Sequence, residues 1–132
     1  MENLAYIPIA KARGFTPVLG NWTIAFTPEA REDFRKLDGS VKPHVAAAIR
    51  KTSQNPLPQR EGGYGVELGN KAGLDLTGCL KIKLKKAGIR IVYQLERHED
   101  RMEVIVIGIR SDLEVYREAV KRLGIQQKPA ER

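Results

Sequence analysis

The spacing of apolar and polar residues changes several times along this chain, and each change marks an element. Residues 81–85 (KIKLK) alternate charged and apolar side chains, the period-two pattern of a strand with one wet and one dry face. Lys86, Ala87 and Gly88 interrupt the alternation, and residues 89–96 resume a strand rich in β-branched side chains with Arg90 among them. An even-length hairpin centred on Lys86 and Ala87 sets Lys83 directly across from Arg90. Opposed cations destabilise a ladder unless an anion lies between or above them, so this hairpin reads as a phosphate-binding face. Residues 102–109 are nearly continuous Val and Ile, as in an interior strand covered on both faces.

The flanking patterns are helical. Residues 22–26 (WTIAF) form a short first strand, and Thr27-Pro28-Glu29 opens a helix with a hydroxyl cap, proline at the first helical position and an acid in the first turn. Ala30, Phe34 and Leu37 make its buried stripe, and Asp38-Gly39 ends it. Ser40 is placed to cap a second helix reaching about Gln54, with Val41, Val45, Ala48 and Ile49 on one face and Asn55-Pro56 as its stop. So short a turn makes the pair an antiparallel hairpin laid on a sheet. Ser111 with Glu114 is a capping box that opens a last helix, where Tyr116, Ala119, Val120 and Leu123 form the apolar stripe and Gly124 the stop. Between these parts, residues 56–78 carry six glycines and lack phosphate-loop spacing; they read as a long connection, functional or mobile, with a short strand near 66–68.

The fold class that emerges is α+β, with element order β-α-α-β-β-β-α: a small antiparallel sheet packed by an amino-terminal helical hairpin and a carboxy-terminal helix. Residues 1–21 are an arm, 22–124 the domain and 125–132 a polar tail.

Composition sharpens the functional reading. The 132 residues suit one domain, and the net charge of +7 is unevenly placed. From Lys81 onward there are 13 Lys or Arg against 8 Asp or Glu, while residues 1–80 carry 10 against 8. The surplus follows the strands and favours a polyanionic partner such as nucleic acid. The single cysteine, Cys79, excludes an internal disulfide framework and reads as a small buried apolar residue. His44 and His98 stand apart from any ligand cluster and read as surface histidines, so no metal and no cofactor is expected. No apolar run of about 18 residues is present, and the first residues lack a signal-peptide pattern, which makes the cytoplasm the expected compartment and a membrane an unexpected partner.

By periodicity Lys81, Lys83 and Arg90 project from one sheet face, which Arg110 at a strand end and Tyr116 in the following helix can join. Such a set stabilises the charge of a pentavalent phosphate transition state, with tyrosine or arginine moving protons. RNA brings its own nucleophile, the 2′-hydroxyl, so the pattern leans toward RNA cleavage. Each residue also has an ordinary explanation: a solvated strand face for the lysines, a pair with Asp112 or Glu114 for Arg110, core packing for Tyr116.

The segments CLKIKLKKAGIRIVYQLE, VIVIGIR and EVYREAVKRLG, with FTPEAREDFRKLDGSV more weakly, resemble the RelE branch of the RelE/ParE superfamily of bacterial toxins, over residues 22–124. That resemblance implies a type II toxin that cuts mRNA in the ribosomal A site by 2′-hydroxyl attack. It further implies Lys81 and Lys83 as the catalytic strand lysines, Arg90 as the phosphate-binding arginine, Arg110 as general acid, Tyr116 as general base and base-stacking residue, and Lys85 and Lys86 as substrate contacts. The implied partners are a cognate antitoxin, the ribosome and mRNA, with operator DNA met only through an antitoxin complex. The alternative is a non-nucleolytic ParE-like gyrase inhibitor, or a relic acting only through antitoxin binding and operon autoregulation. Residues 61–78 depart from the family's shorter, basic connection, with Lys71 their only base, and residues 1–20 have no counterpart in it.

Overall fold

Five strands form one mixed sheet in the order β1-β5-β4-β3-β2. The computed structural model describes residues 21–109 and 111–127; the arm at 1–20, Arg110 and the last five residues lie outside them. The elements are β1 (Thr23–Phe26), α1 (Pro28–Lys36), α2 (Lys42–Thr52), β2 (Val66–Lys71), β3 (Leu74–Leu84), β4 (Ile89–Glu96), β5 (Arg101–Gly108) and α3 (Asp112–Gln127). The α+β class is present, with one strand more than the expected order β-α-α-β-β-β-α and a mixed rather than wholly antiparallel sheet. β2 extends the anticipated short strand to six residues and pairs antiparallel with β3. β2 to β5 form an antiparallel meander, whereas β1 runs parallel to β5, in register from Thr23↔Arg101 to Phe26↔Val104. β5 is thus an interior strand only over residues 101–104; its Val and Ile run continues past the end of β1, where helices cover both faces.

Local chemistry explains the helix boundaries. The Thr27 hydroxyl accepts the Ala30 N–H at 3.0 Å, and α1 ends where Leu37 turns to extended backbone. Ser40 does not cap α2: the Asp38 carboxylate accepts both its hydroxyl and its N–H, and Val41 stands at the N-cap without a side-chain bond. α2 also stops earlier than expected, at Thr52, where the Ser53 hydroxyl donates to the Arg50 carbonyl at 2.7 Å. α3 does begin with the capping box, Ser111 Oγ accepting the Glu114 N–H at 3.3 Å, but it continues through Gly124 to Gln127.

Each face of the sheet carries its own core. Ala30 and Phe34 of α1 and Val45 and Ile49 of α2 pack on Ile24, Leu80, Ile91, Tyr93, Met102 and Val104. Val115, Tyr116, Ala119 and Leu123 of α3 cover Leu68, Leu76, Cys79, Val92, Ile105 and Val106 on the other side. The register shift between Val92↔Val106 and Tyr93↔Val104 makes Ile105 an extra residue in β5, which gives the α3 side two consecutive apolar side chains.

Where β1 ends, side chains complete the outer edge of β5. Arg122 of α3 donates to the Ile105 carbonyl at 2.7 Å and to both carboxylate oxygens of Asp33, at 2.8 and 3.1 Å. Asp33 of α1 in turn accepts the Ile107 N–H at 3.0 Å. This clasp joins both helical layers to the sheet through one ion pair.

The first part of the glycine-rich connection, residues 55–65, is tied by a ring of hydrogen bonds. Tyr93 donates its buried hydroxyl to the Pro56 carbonyl at 2.9 Å, Tyr64 N–H reaches the Asn55 carbonyl at 2.9 Å and Gly65 N–H the Leu57 carbonyl at 2.9 Å. Gly63 is required sterically, since a Cβ there would lie 2.1 Å from the Leu57 carbonyl oxygen, which is backbone and cannot yield. Gly63→Ala is expected to cost about 2 kcal/mol, read as a lower urea midpoint at unchanged slope.

Candidate functional site

The hairpin register places the cations as the alternation required. Lys83 pairs with Arg90 and Lys81 with Val92 across β3 and β4, so Lys81, Lys83 and Arg90 share the face that α3 covers. Lys85 and Lys86 lie in the exposed turn between these strands. Tyr116, in the second turn of α3, has its ring in the core beneath, 5% exposed, and its hydroxyl at the site, where it accepts from Lys81 Nζ at 3.3 Å. The same ammonium lies 6.0 Å from the ring centroid. Four of the five residues assigned to chemistry therefore meet on one surface; Arg110 lies outside the described residues.

Sequence reasoning offered Asp112 only as a partner for Arg110. Its carboxylate bridges the opposed cations, Oδ1 accepting from Arg90 Nε and Oδ2 lying 3.6 Å from Lys83 Nζ. The Gly88 carbonyl accepts Arg90 Nη1 at 2.9 Å from the turn side, so the guanidinium is held from two directions. The available signal was the capping box itself: once Ser111 is the cap, Asp112 is the first helical residue, and the short step from β5 brings it over the hairpin. An acid is also favoured there by the partial positive charge of the helix start.

The Arg90 hydrogen bond holds Asp112 below the usual aspartate value, helped by the charges of Arg90, Lys83 and Lys81 and opposed by partial desolvation. A depressed folded-state value means that the stabilisation is present above the unfolded-state pKa of about 3.9 and is lost as pH falls through the folded-state value. Asp112→Asn is expected to be less stable than wild type at neutral pH, with the gap closing in acid below about pH 4. Urea midpoints measured across that range check it.

Other titratable groups lie away from this surface's chemistry. Burial pushes the Cys79 thiol up to about 11, which suits the expected inert apolar role. Burial also raises the Tyr93 phenol. His44 and His98 are exposed. Among the described residues no three His, Cys, Asp or Glu side chains are grouped to hold a metal ion, and no helix is long and apolar enough to cross a membrane.

Comparison with known proteins agrees with this architecture. The family model described as "ParE toxin of type II toxin-antitoxin system, parDE" matches residues 24–116. The mRNA interferase toxin RelE of Escherichia coli strain K12 is 32% identical over 98 residues, covering 74% of this chain and 93% of the relative. A putative RelE-like toxin protein of E. coli is 26% identical over 102 residues, or 77% of this chain and 97% of the relative. The crystal structure of isolated E. coli RelE superimposes with a TM-score of 0.56 at 28% identity, covering 77% of this chain and 98% of that one. A mutant E. coli RelE in complex with an antitoxin RelBc peptide gives the same score and identity, over 77% and 97%.

A helical pair and a single helix on opposite faces of a meander, with cations on the single-helix face, define a small α+β toxin domain; the chain belongs to the RelE/ParE superfamily of type II toxin–antitoxin systems. Within that superfamily it is a RelE-like toxin.

Proposed function

We propose that this toxin is a ribosome-dependent endoribonuclease that cuts mRNA in the A site and so arrests translation. The observation that carries the reading is the convergence of Lys81, Lys83 and Arg90 on one face beside the Tyr116 hydroxyl. In the proposed reaction the substrate's 2′-oxygen forms a bond to the adjacent phosphorus while the bond to the 5′-oxygen breaks. Arg90 and Lys83 balance the negative charge that builds on the phosphoryl oxygens, and Lys81 adds to their field. Tyr116 takes the 2′-hydroxyl proton through an oxygen that Lys81 already contacts, and Arg110 supplies one to the leaving 5′-oxygen. Because RNA provides the nucleophile, the reaction as proposed needs no metal. Lys85 and Lys86, at the exposed turn, contact neighbouring phosphates, and the ribosome orients the strand.

An antitoxin is the proposed partner that silences this surface, supported by the solved complex of a RelE mutant with an antitoxin peptide. Operator DNA is met only through that complex, and the protein works in the cytoplasm.

The second reading, a non-nucleolytic ParE-like gyrase inhibitor or a relic acting only through its antitoxin, has one observation in its favour: Asp112 already fills the space between the cations. Primer extension on an mRNA in a reconstituted translation reaction, with and without ribosomes, separates the two. Cuts at A-site codons that require ribosomes are the expected result. Intact mRNA would sink the nuclease reading and leave the second.

A further inference from the structure

Elsewhere on the surface Glu32 pairs with Arg35, and Glu61 lies between Arg97 and Arg60, which also holds Glu67. Asp112 differs in where its two cations stand. It spends one oxygen on Arg90 and the other on Lys83, two cations that the β3–β4 register sets opposite one another. A carboxylate held in this way presents two negatively charged oxygens to the two groups proposed to hold the non-bridging oxygens of a phosphodiester.

The helix has little structural need of this bridge. The start of α3 is already fixed by the Ser111–Glu114 box, its length by Val115, Tyr116, Ala119 and Leu123 in the core, and its far part by the Arg122 clasp. Bridges between partly exposed groups contribute little to stability, and the Asp112 side chain is 40% exposed. It has two side-chain torsions and open solvent to turn into. Arg90, by contrast, is 19% exposed and also donates to the Gly88 carbonyl, a hold separate from Asp112. The acid can leave while the arginine stays.

We propose that Asp112 is an internal stand-in for the substrate phosphate, which an incoming phosphodiester must displace from Lys83 and Arg90 before the site can act. This deepens the nuclease reading and rests on it for the identity of the substrate. Its effect is selective: free phosphate and loosely held RNA compete poorly with an anion tethered at the site. A strand already positioned against the face, with its phosphate forced to the same point, competes well. The requirement for an oriented RNA is then written partly into the toxin.

The test is binding of inorganic phosphate to the full-length protein, followed by calorimetry for wild type, Asp112→Asn and Asp112→Asn/Arg90→Ala. Removing one competing charge is expected to tighten phosphate binding about fivefold in Asp112→Asn, the size of a partly exposed ion pair. The added Arg90→Ala change is expected to abolish the gain. Equal or weaker binding by folded Asp112→Asn would overturn the proposal and leave Asp112 as a strut. If that variant does not fold, wild type carries the test through the carboxyl carbon resonance of Asp112 and the Nε–H resonance of Arg90. Both are expected to move together as phosphate is added, whereas phosphate binding with the Asp112 resonance unmoved would overturn the proposal. Calorimetry and primer extension fail independently: tighter phosphate binding by Asp112→Asn with uncut mRNA would uphold the stand-in and defeat the nuclease.

Discussion

Arg90→Ala is expected to slow mRNA cleavage about 10²- to 10³-fold, the usual scale for removing one pre-oriented donor from a charge-stabilising site. Its side chain is more buried than that of Lys83, held on one side by the turn carbonyl of Gly88 and on the other by Asp112. Charge interactions strengthen as water is excluded, so Arg90 contributes more than Lys83, which is 34% exposed. A lysine replacement recovers only part of the loss, since an ammonium cannot make the two-point contact of a planar fork. The fold is expected to persist, because Asp112 keeps Lys83 and the core beneath is unchanged. Single-turnover cleavage in a reconstituted translation reaction, beside a thermal melt, reads both quantities. Unimpaired cutting by a folded Arg90→Ala protein would remove this face from the chemistry.

Arg122→Ala is expected to be the most destabilising single truncation outside the hydrophobic core, at about 3 kcal/mol. Arg122 and Asp33 are 15% and 19% exposed, and their loss of partners cannot be made good by water as it is at the surface. Without the guanidinium, the Ile105 carbonyl and the Asp33 carboxylate each lose a partner at the edge where β1 no longer covers β5. The expected fall in melting temperature is about 10 °C for a domain of this size. Asp33→Ala is expected to cost less, because Arg122 retains Glu118 at 2.8 Å and the Ile105 carbonyl. A double-mutant cycle on the pair isolates the coupling; a cycle close to zero would reduce the clasp to two unrelated contacts.

What the sequence made legible followed from local rules. A period of two fixes which residues share a strand face, so the sequence alone puts Lys81, Lys83 and Arg90 on one surface. The four-residue turn then set the Lys83↔Arg90 register. The Thr27 cap and the Ser111–Glu114 box were equally local, and both are made. The expected Ser40 cap is not made because two roles compete: as a cap its oxygen would accept a backbone N–H of α2, but Asp38, two residues earlier, accepts from its hydroxyl and its N–H. β2 was half hidden. Gly69 on β2 and Gly78 on β3, both at positive φ, break the alternation on the two strands of this hairpin, and the pairing skips residues between Glu67 and Gly69. The parallel β1–β5 pairing and the reach of Arg122 to Asp33 join residues that no sequence period relates. The position of Asp112 depends on how α3 is docked, which becomes visible only once the sheet is assembled.

The parallel pairing has a consequence for the order in which the chain acquires structure during synthesis. Among the described elements β1 is made first, yet its ladder partner is β5, about three fifths of the chain later. A strand with such a distant partner pays a large loop-closure cost and settles late. Until residue 104 has emerged, residues 23–26 have nothing to pair with. The helices α1 and α2 that follow lack part of the surface on which they pack. The meander can form early, but Tyr116 arrives last, on α3. A nascent chain thus carries its positive charges well before it carries the phenol. A truncated product ending before α3 would be a basic hairpin without its closing helix, and the toxin gains a complete working face only when nearly the whole polypeptide is free to fold.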